Sequence, residues 1–280
     1  MELEKDYKRK LQLRLLEMAK DIDKLCKEND IEYYLMYGST IGAVRHEGFI
    51  PWDDDFDIGM TDENYFKFLQ VCEEKLDKKK YFVQTQEKEE NYYMSFAKIR
   101  DITTTLINEM NADKEMTYGI YIDVFPLVGV PSSKIKRGVL KVNRAFMLSA
   151  NANVIRNKFL KFIFDIILKI FGKKRIIKYC TKQCFKYKCK DYDNWISICD
   201  GDGFELNEVR REVMGKPKYV KFENIELPIP EDHDTYLRRI YGDYMRIPSP
   251  EEIKRKEHTP YFLDLNLPYE EYKKRIKKDD

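Results

Sequence analysis

Apolar residues recur every three or four positions near the start of the chain. Leu11, Leu15, Met18, Ile22 and Leu25 would share one face of a helix over 4–29. The period then changes. IEYYLMYG (31–38) reads as a strand ending in glycine and FDIGM (56–60) as a second, short strand, with 39–54 as a loop between them. Thr61 followed by Asp62 and Glu63 predicts a helix start, with Tyr65, Phe66, Leu69, Cys72 and Leu76 as its inward face. YFVQTQ (81–86), MSFAKIRD (94–101) and TTTLINE (103–109) are β-rich and separated by polar breaks. GIYIDVFPL (119–127) is another strand, expected to stop at Pro126. Residues 134–190 return to a helical pattern. A mixed, proline-punctuated region follows 200 and includes a helix over 232–240.

Composition sharpens this division. The chain has 280 residues, 43% of them hydrophobic, which is enough for a substantial core. The net charge of +2 hides an asymmetry: residues 132–190 carry 17 Lys and Arg against one acid, Asp165, so the rest is net acidic. Such a block points to an anionic partner or to an internal electrostatic contact. The apolar stretch FLKFIFDIILKIF (159–171) carries Lys161, Asp165 and Lys169 and is too short to span a bilayer. The N-terminus lacks a secretory pattern, and the six cysteines include no C-x-x-C pair. A cytoplasmic protein with reduced thiols is expected, within reach of the inner face of the membrane.

The chemistry concentrates in YGSTIGAVRHEGFIPWDDDFDIGM (37–60), where Asp53, Asp54, Asp55 and Asp57 crowd together. Like charges this close repel. In an extended strand Asp55 and Asp57 would share a face with Cα atoms roughly 6.6 Å apart, Asp53 would be in phase with them, and Asp54 would point away. A hard divalent cation, Mg²⁺ or Mn²⁺, would join such carboxylates. A solvated acidic turn is the plain alternative. A calcium loop fits poorly, because its glycine would fall on Ile58 and its bidentate Glu on Asn64. Gly38-Ser39, sixteen residues before Asp55, could expose backbone N–H groups to a phosphate. A Gly-Ser turn, an Asp-apolar-Asp-apolar strand and a later carboxylate in Ile122-Asp123-Val124 together resemble the nucleotidyltransferase (polymerase-beta-like) fold. That likeness implies an α+β architecture, a mixed sheet bearing the acids with flanking helices, to which the helical pattern of 134–190 adds a basic helical appendage. Its parts would be a catalytic core over 1–131, a basic helical segment over 132–200 and a completing part over 201–280.

A more specific likeness runs through GSTIGAVRHEGFIPWDDDFDIGM, AKIRDITTTLI (97–107), GIYIDVFPL and LPIPEDHDTYLRRIYGDYMRIPSP (227–250). In that order these blocks resemble the LicD family of phosphocholine transferases. The resemblance implies transfer of a phospho-alcohol, typically from CDP-choline, to a sugar hydroxyl of a cell-surface glycan precursor of teichoic acid or lipopolysaccharide type, with CMP leaving. Asp55 and Asp57 would hold the metal against the diphosphate. Asp123 would complete the metal site or take the sugar proton, and Asp53 would be a further ligand. Arg45 and His46, or Lys98 and Arg100, would contact phosphate oxygens. Trp52 would stack on the base or on choline, and Tyr241 and Asp243 would shape the pocket. The basic segment would meet an anionic membrane or a lipid-linked acceptor. Nucleic acid is the less favoured partner. Rival readings stay open: transfer of NMP from an NTP to RNA or a small molecule, a GT-A glycosyltransferase, and a non-enzymatic cation-binding module.

Overall fold

The computed structural model describes residues 2–108, 114–152, 158–199, 203–256 and 260–279. Residue 109, at the end of one expected strand, and residues 153–157, inside the expected helical stretch, lie outside it. The first apolar stripe forms α1 (Glu2–Glu28), and Leu11, Leu15, Met18, Ile22 and Leu25 are all buried. β1 is only Tyr34–Leu35, and the chain then turns at once into α2 (Tyr37–Ile41) and a π-helical turn, Gly42–His46. The expected strand over 31–38 is therefore cut short, and part of the expected loop is helical. β2 (Asp57–Thr61) leads into α3 (Asp62–Lys75), where Thr61 caps the helix by accepting the Asn64 N–H. Phe66 departs from expectation: it is 47% exposed, while Tyr65, Phe68, Val71 and Cys72 form the buried stripe at helical spacing.

β3 (Tyr81–Gln84), β4 (Ala97–Asp101), β5 (Thr105–Ile107) and β6 (Ile120–Gly129) follow. Among the described residues a mixed sheet runs β1-β2-β6-β4-β3, and it is extended at β6 by β7 (Asn194–Ser197) and β8 (Glu208–Arg210). β2 and β6 are parallel; β4 and β7 run antiparallel to β6. β6 does not stop at Pro126. The Asp123 N–H bonds Phe56 O, so alternate residues of β6 face β2 and Pro126 faces the other edge. There β4 has ended, with Ala97 opposite Val124, and β7 has not begun, with Ser197 opposite Leu127. The missing N–H of proline breaks no ladder bond in that gap.

One face of the sheet, with Ile58, Met60, Ile99, Ile122 and Val124, packs on α1 and α3 in the main core. Each such fully buried aliphatic side chain contributes about 1.5–3 kcal/mol. The basic segment forms α4 (Lys134–Ala152), α5 (Lys158–Phe171) and α6 (Lys173–Cys184) around their own apolar cluster, which includes Leu140, Met147, Phe164 and Ile177. The C-terminal part adds α7 (Phe204–Asn207), α8 (Arg211–Met214), the hairpin β9–β10 (Lys218–Phe222, Ile225–Ile229) and α9 (His233–Tyr241). Next come α10 (Pro250–Lys256), β11 (Phe262–Asp264), which pairs with β5, and α11 (Tyr269–Asp279). Tyr236 and Leu237 of α9 share a cluster with Met36 and Ile41, so this part closes over the turn after β1. The mixture of helix and strand is the α+β architecture expected from the sequence.

Candidate active site

The second face of the sheet carries the charge. Parallel pairing sets Asp57 opposite Asp123, and antiparallel pairing sets Lys98 opposite Asp123 on its other side. Period-two alternation turns these three side chains away from the apolar core. Lys98 Nζ lies 2.5 Å from Asp123 Oδ1 and 3.5 Å from the centre of the Tyr121 ring. Ser39 does not sit on a strand-end loop but in α2, where its Oγ accepts the Asp57 N–H at 2.9 Å. Gly38 has a local reason to be glycine: a Cβ there would stand 2.9 Å from Asp53 Oδ2. The preceding residue, Tyr37, is held at φ +48, a left-handed conformation uncommon for a tyrosine.

Asp53 and Asp55 lie ahead of β2, so strand alternation does not govern them. Asp54, expected to point away, does not: the carboxylate oxygens of Asp53, Asp54 and Asp55 lie within 4.8 Å of one another. The buried Gln12 side chain of α1 fixes this approach by donating to Ile50 O at 3.0 Å and Asp53 O at 2.9 Å, and Lys8 Nζ donates to Trp52 O at 3.1 Å. Burial, and then repulsion from Asp55 and Asp54, pushes Asp53 up to about 8. Burial, with Asp54 and Asp123, pushes Asp55 up to about 6. Asp57 is raised well above the carboxylate range by burial, and then by Asp55 and Asp123. Burial lowers Lys98, while its partner Asp123 opposes the shift. Five acids thus face chiefly one buried cation, an oxygen-only donor set that suits a hard divalent ion. Asp53, Asp55, Asp57 and Asp123 are the groups that could hold it, with Asp54 as an added neighbour.

The structure gives most of the other expected site residues partners within the protein. Arg45 donates Nε to His46 Nε2 at 2.9 Å and Nη1 to Tyr244 O and Arg246 O, so its fork ties the π-turn to the C-terminal part. Burial, then the Arg45 charge, lowers His46, which suits its role as the neutral acceptor. Trp52 packs edge-on to His46 with ring centres 6.0 Å apart. Arg100 shares the face of Lys98 and is also buried, bonding Gln84 Oε1 and Gly119 O. Tyr241 and Asp243 are exposed at the end of α9. The inward residue of that motif is Tyr244, whose hydroxyl bonds Asp234 at 2.9 Å.

Sequence reasoning missed an aromatic patch beside the acids. Phe125, two residues beyond Asp123 on the same face of β6, contacts Phe96 at 4.7 Å and Tyr37 at 5.4 Å between ring centres. Phe96 precedes Lys98 by two, so the same alternation could have located both rings.

A mixed sheet that aligns carboxylates from two neighbouring strands, entered through a Gly-Ser helical turn, defines a nucleotidyltransferase-like site. Residues 30–152 match the LicD/FKTN/FKRP nucleotidyltransferase domain family. It is similar to the lipopolysaccharide cholinephosphotransferase LicD of Haemophilus influenzae, 29% identical over 265 residues that cover 89% of this chain and 95% of the relative. Shorter likenesses are to uncharacterised proteins of Rickettsia typhi and Rickettsia prowazekii, 44% and 42% identical over 59 residues. Each covers 21% of this chain, with 19% and 22% of those proteins.

Proposed function

We propose that this protein transfers phosphocholine, or a closely related phospho-alcohol, from a CDP-alcohol to a sugar hydroxyl of a cell-surface glycan of lipopolysaccharide or teichoic acid type. The carrying observation is the register of β2 and β6, which seats Asp57 beside Asp123 with Lys98 on the far side. The similarity to a lipopolysaccharide cholinephosphotransferase supports the choice of choline and of a glycan acceptor. Asp55, Asp57 and Asp123, with Asp53 behind them, would hold Mg²⁺, which when bound supplies neutralising charge to the diphosphate. Lys98 offers its ammonium to the transferred phosphoryl oxygens. The rings of Tyr37, Phe96 and Phe125 supply π faces for a quaternary ammonium.

In the reaction the acceptor oxygen bonds the phosphorus that bears the alcohol. The bond from that phosphorus to the bridging oxygen breaks, and CMP leaves with the electron pair. The hydroxyl proton passes to a carboxylate of the cluster. Binding and positioning carry most of the rate, so no covalent enzyme intermediate is required.

The test is thermal stabilisation by CDP-choline, CDP-ribitol, CDP-glycerol and nucleoside triphosphates, each with and without Mg²⁺, followed by CMP release in the presence of glycan. Saturation at about a hundredfold over Kd should stabilise by roughly 2.7 kcal/mol. The expected response is to CDP-choline with Mg²⁺. A response to triphosphates alone would reassign the site to nucleotidyl transfer, and no response to any of them would remove the proposal.

A further inference from the structure

The basic helices are not used by the transfer chemistry, and their outer surface has a distinct pattern. α5 buries Phe164, and partly Leu168, against α4 and α6. At 3.6 residues per turn, Phe159, Phe162, Ile163, Ile166 and Ile170 form a second stripe on the opposite side. Each of these five is between 40% and 70% exposed. Lys158, Lys161 and Lys169 run along one flank between the two stripes, together with Asp165, which pairs with Lys161 at 2.8 Å.

The outer stripe borders an apolar groove of about 550 Å³ between the three helices, whose walls include Val142, Phe146, Ile167, Ile176 and Tyr179. A second hollow of about 610 Å³ shares Ile170, Phe171 and Arg175 with the groove and is ringed by Lys169, Lys173, Lys174, Arg175 and Lys178. Among the described residues, the ion pair these five cations make is a 3.9 Å contact from Lys178 to Glu87, and both of its side chains are well exposed.

We propose that the outer face of α5 and the α5–α6 junction dock on an anionic phospholipid bilayer. The exposed stripe enters the boundary between headgroups and acyl chains, the cations hold lipid phosphates, and the groove receives an acyl chain. An apolar stripe edged by an excess of cations is the chemistry of an interfacial helix. A second copy of this chain fits worse, because a two-fold contact would press like-charged rims together. A nucleic-acid backbone offers nothing to the five apolar side chains. The inference does not depend on the transfer reading.

The experiment is co-sedimentation of the full chain with vesicles of pure phosphatidylcholine and of equimolar phosphatidylcholine and phosphatidylglycerol. Binding to the anionic vesicles should be about a hundredfold tighter. Phe162→Ser with Ile166→Ser changes exposed side chains, so the melting temperature should stay put while binding weakens about tenfold or more. Lys173→Glu with Lys174→Glu should weaken binding to anionic vesicles by about a hundredfold or more. Phe162→Trp gives a second readout, a blue-shifted emission on anionic vesicles that brominated acyl chains quench. Equal binding to both vesicle types, or binding to neither, would overturn the proposal. So would serine variants that bind like the parent, since the contact would then be charge alone. A vesicle-free dimer that the serine variants abolish would assign the face to a second copy and overturn it too.

Discussion

Replacing Asp55 by Asn is expected to make the free protein harder to unfold while weakening its hold on a divalent cation. The carboxylate oxygens of Asp53, Asp54 and Asp55 lie within 4.8 Å of one another. Two unit charges at that separation repel by about 3.5 kcal/mol at an effective dielectric near 20. Partial exposure and partial protonation reduce this to about 1–2 kcal/mol. For a chain of this size that is a rise in melting temperature of about 2–6 °C in metal-free buffer near pH 8. The pH dependence fixes the sign. Asp53 and Asp55 are pushed up to about 8 and about 6, burial first and neighbouring acids next, so both bind protons more tightly folded than unfolded. Stability held below about pH 4 is therefore lost as pH rises through those values. The gain from Asp55→Asn should be largest near pH 8 and vanish near pH 4. Differential scanning calorimetry at the two pH values, with EDTA and then with Mg²⁺, measures it. Mg²⁺ should stabilise the parent more than the variant. A variant less stable than its parent at pH 8, or a gain of equal size at both pH values, would refute the account of crowded carboxylates.

Three further outcomes follow from the geometry. Asp57→Asn or Asp123→Asn should cut CMP release from CDP-choline by about a thousandfold or more, with the melting curve still cooperative. Gly38→Ala meets only the movable tip of Asp53, so unfolding should change by less than about 1 kcal/mol, while the Mg²⁺ titration midpoint rises as that carboxylate is turned aside. Asp62→Ala leaves the buried Cys189 N–H without its 2.8 Å acceptor and Lys188 without its 3.0 Å partner. Urea unfolding should show a loss of about 1–3 kcal/mol.

Period and capping chemistry made much of this architecture legible. The stripe of α1, the cap at Thr61 and the acid on β6 all follow from local pattern. Tyr34–Leu35 reads as the start of a longer strand because IEYYLMY is β-rich throughout. Tertiary contact decides otherwise: Met36 N–H bonds Asp57 O and Tyr37 N–H bonds the Tyr236 hydroxyl, about two hundred residues away in sequence. A strand before Asp57 would turn Asp54 away, whereas Gln12 holds that stretch from α1 in another conformation. No local signal marks Gln12 for that task. The carbonyl partners of Arg45 and Arg100 come from distant segments that pattern does not pair.

β6 acts as a strut. In ten unbroken residues it pairs with β4 over 120–124, with β2 over 123–127 and with β7 over 127–129. From Asp123 to Gly129 the extended backbone spans about 20 Å, a length that neither stretches nor shortens in a bonded sheet. Gly129 is pinned at the far end, where a Cβ would collide with the Tyr192 ring and Lys188 O. The height of the carboxylates above the root of the basic helices is thereby set like a fixed gauge. One residue inserted between 124 and 128 would invert the alternation beyond it, leaving either the acids or the helices facing the wrong way.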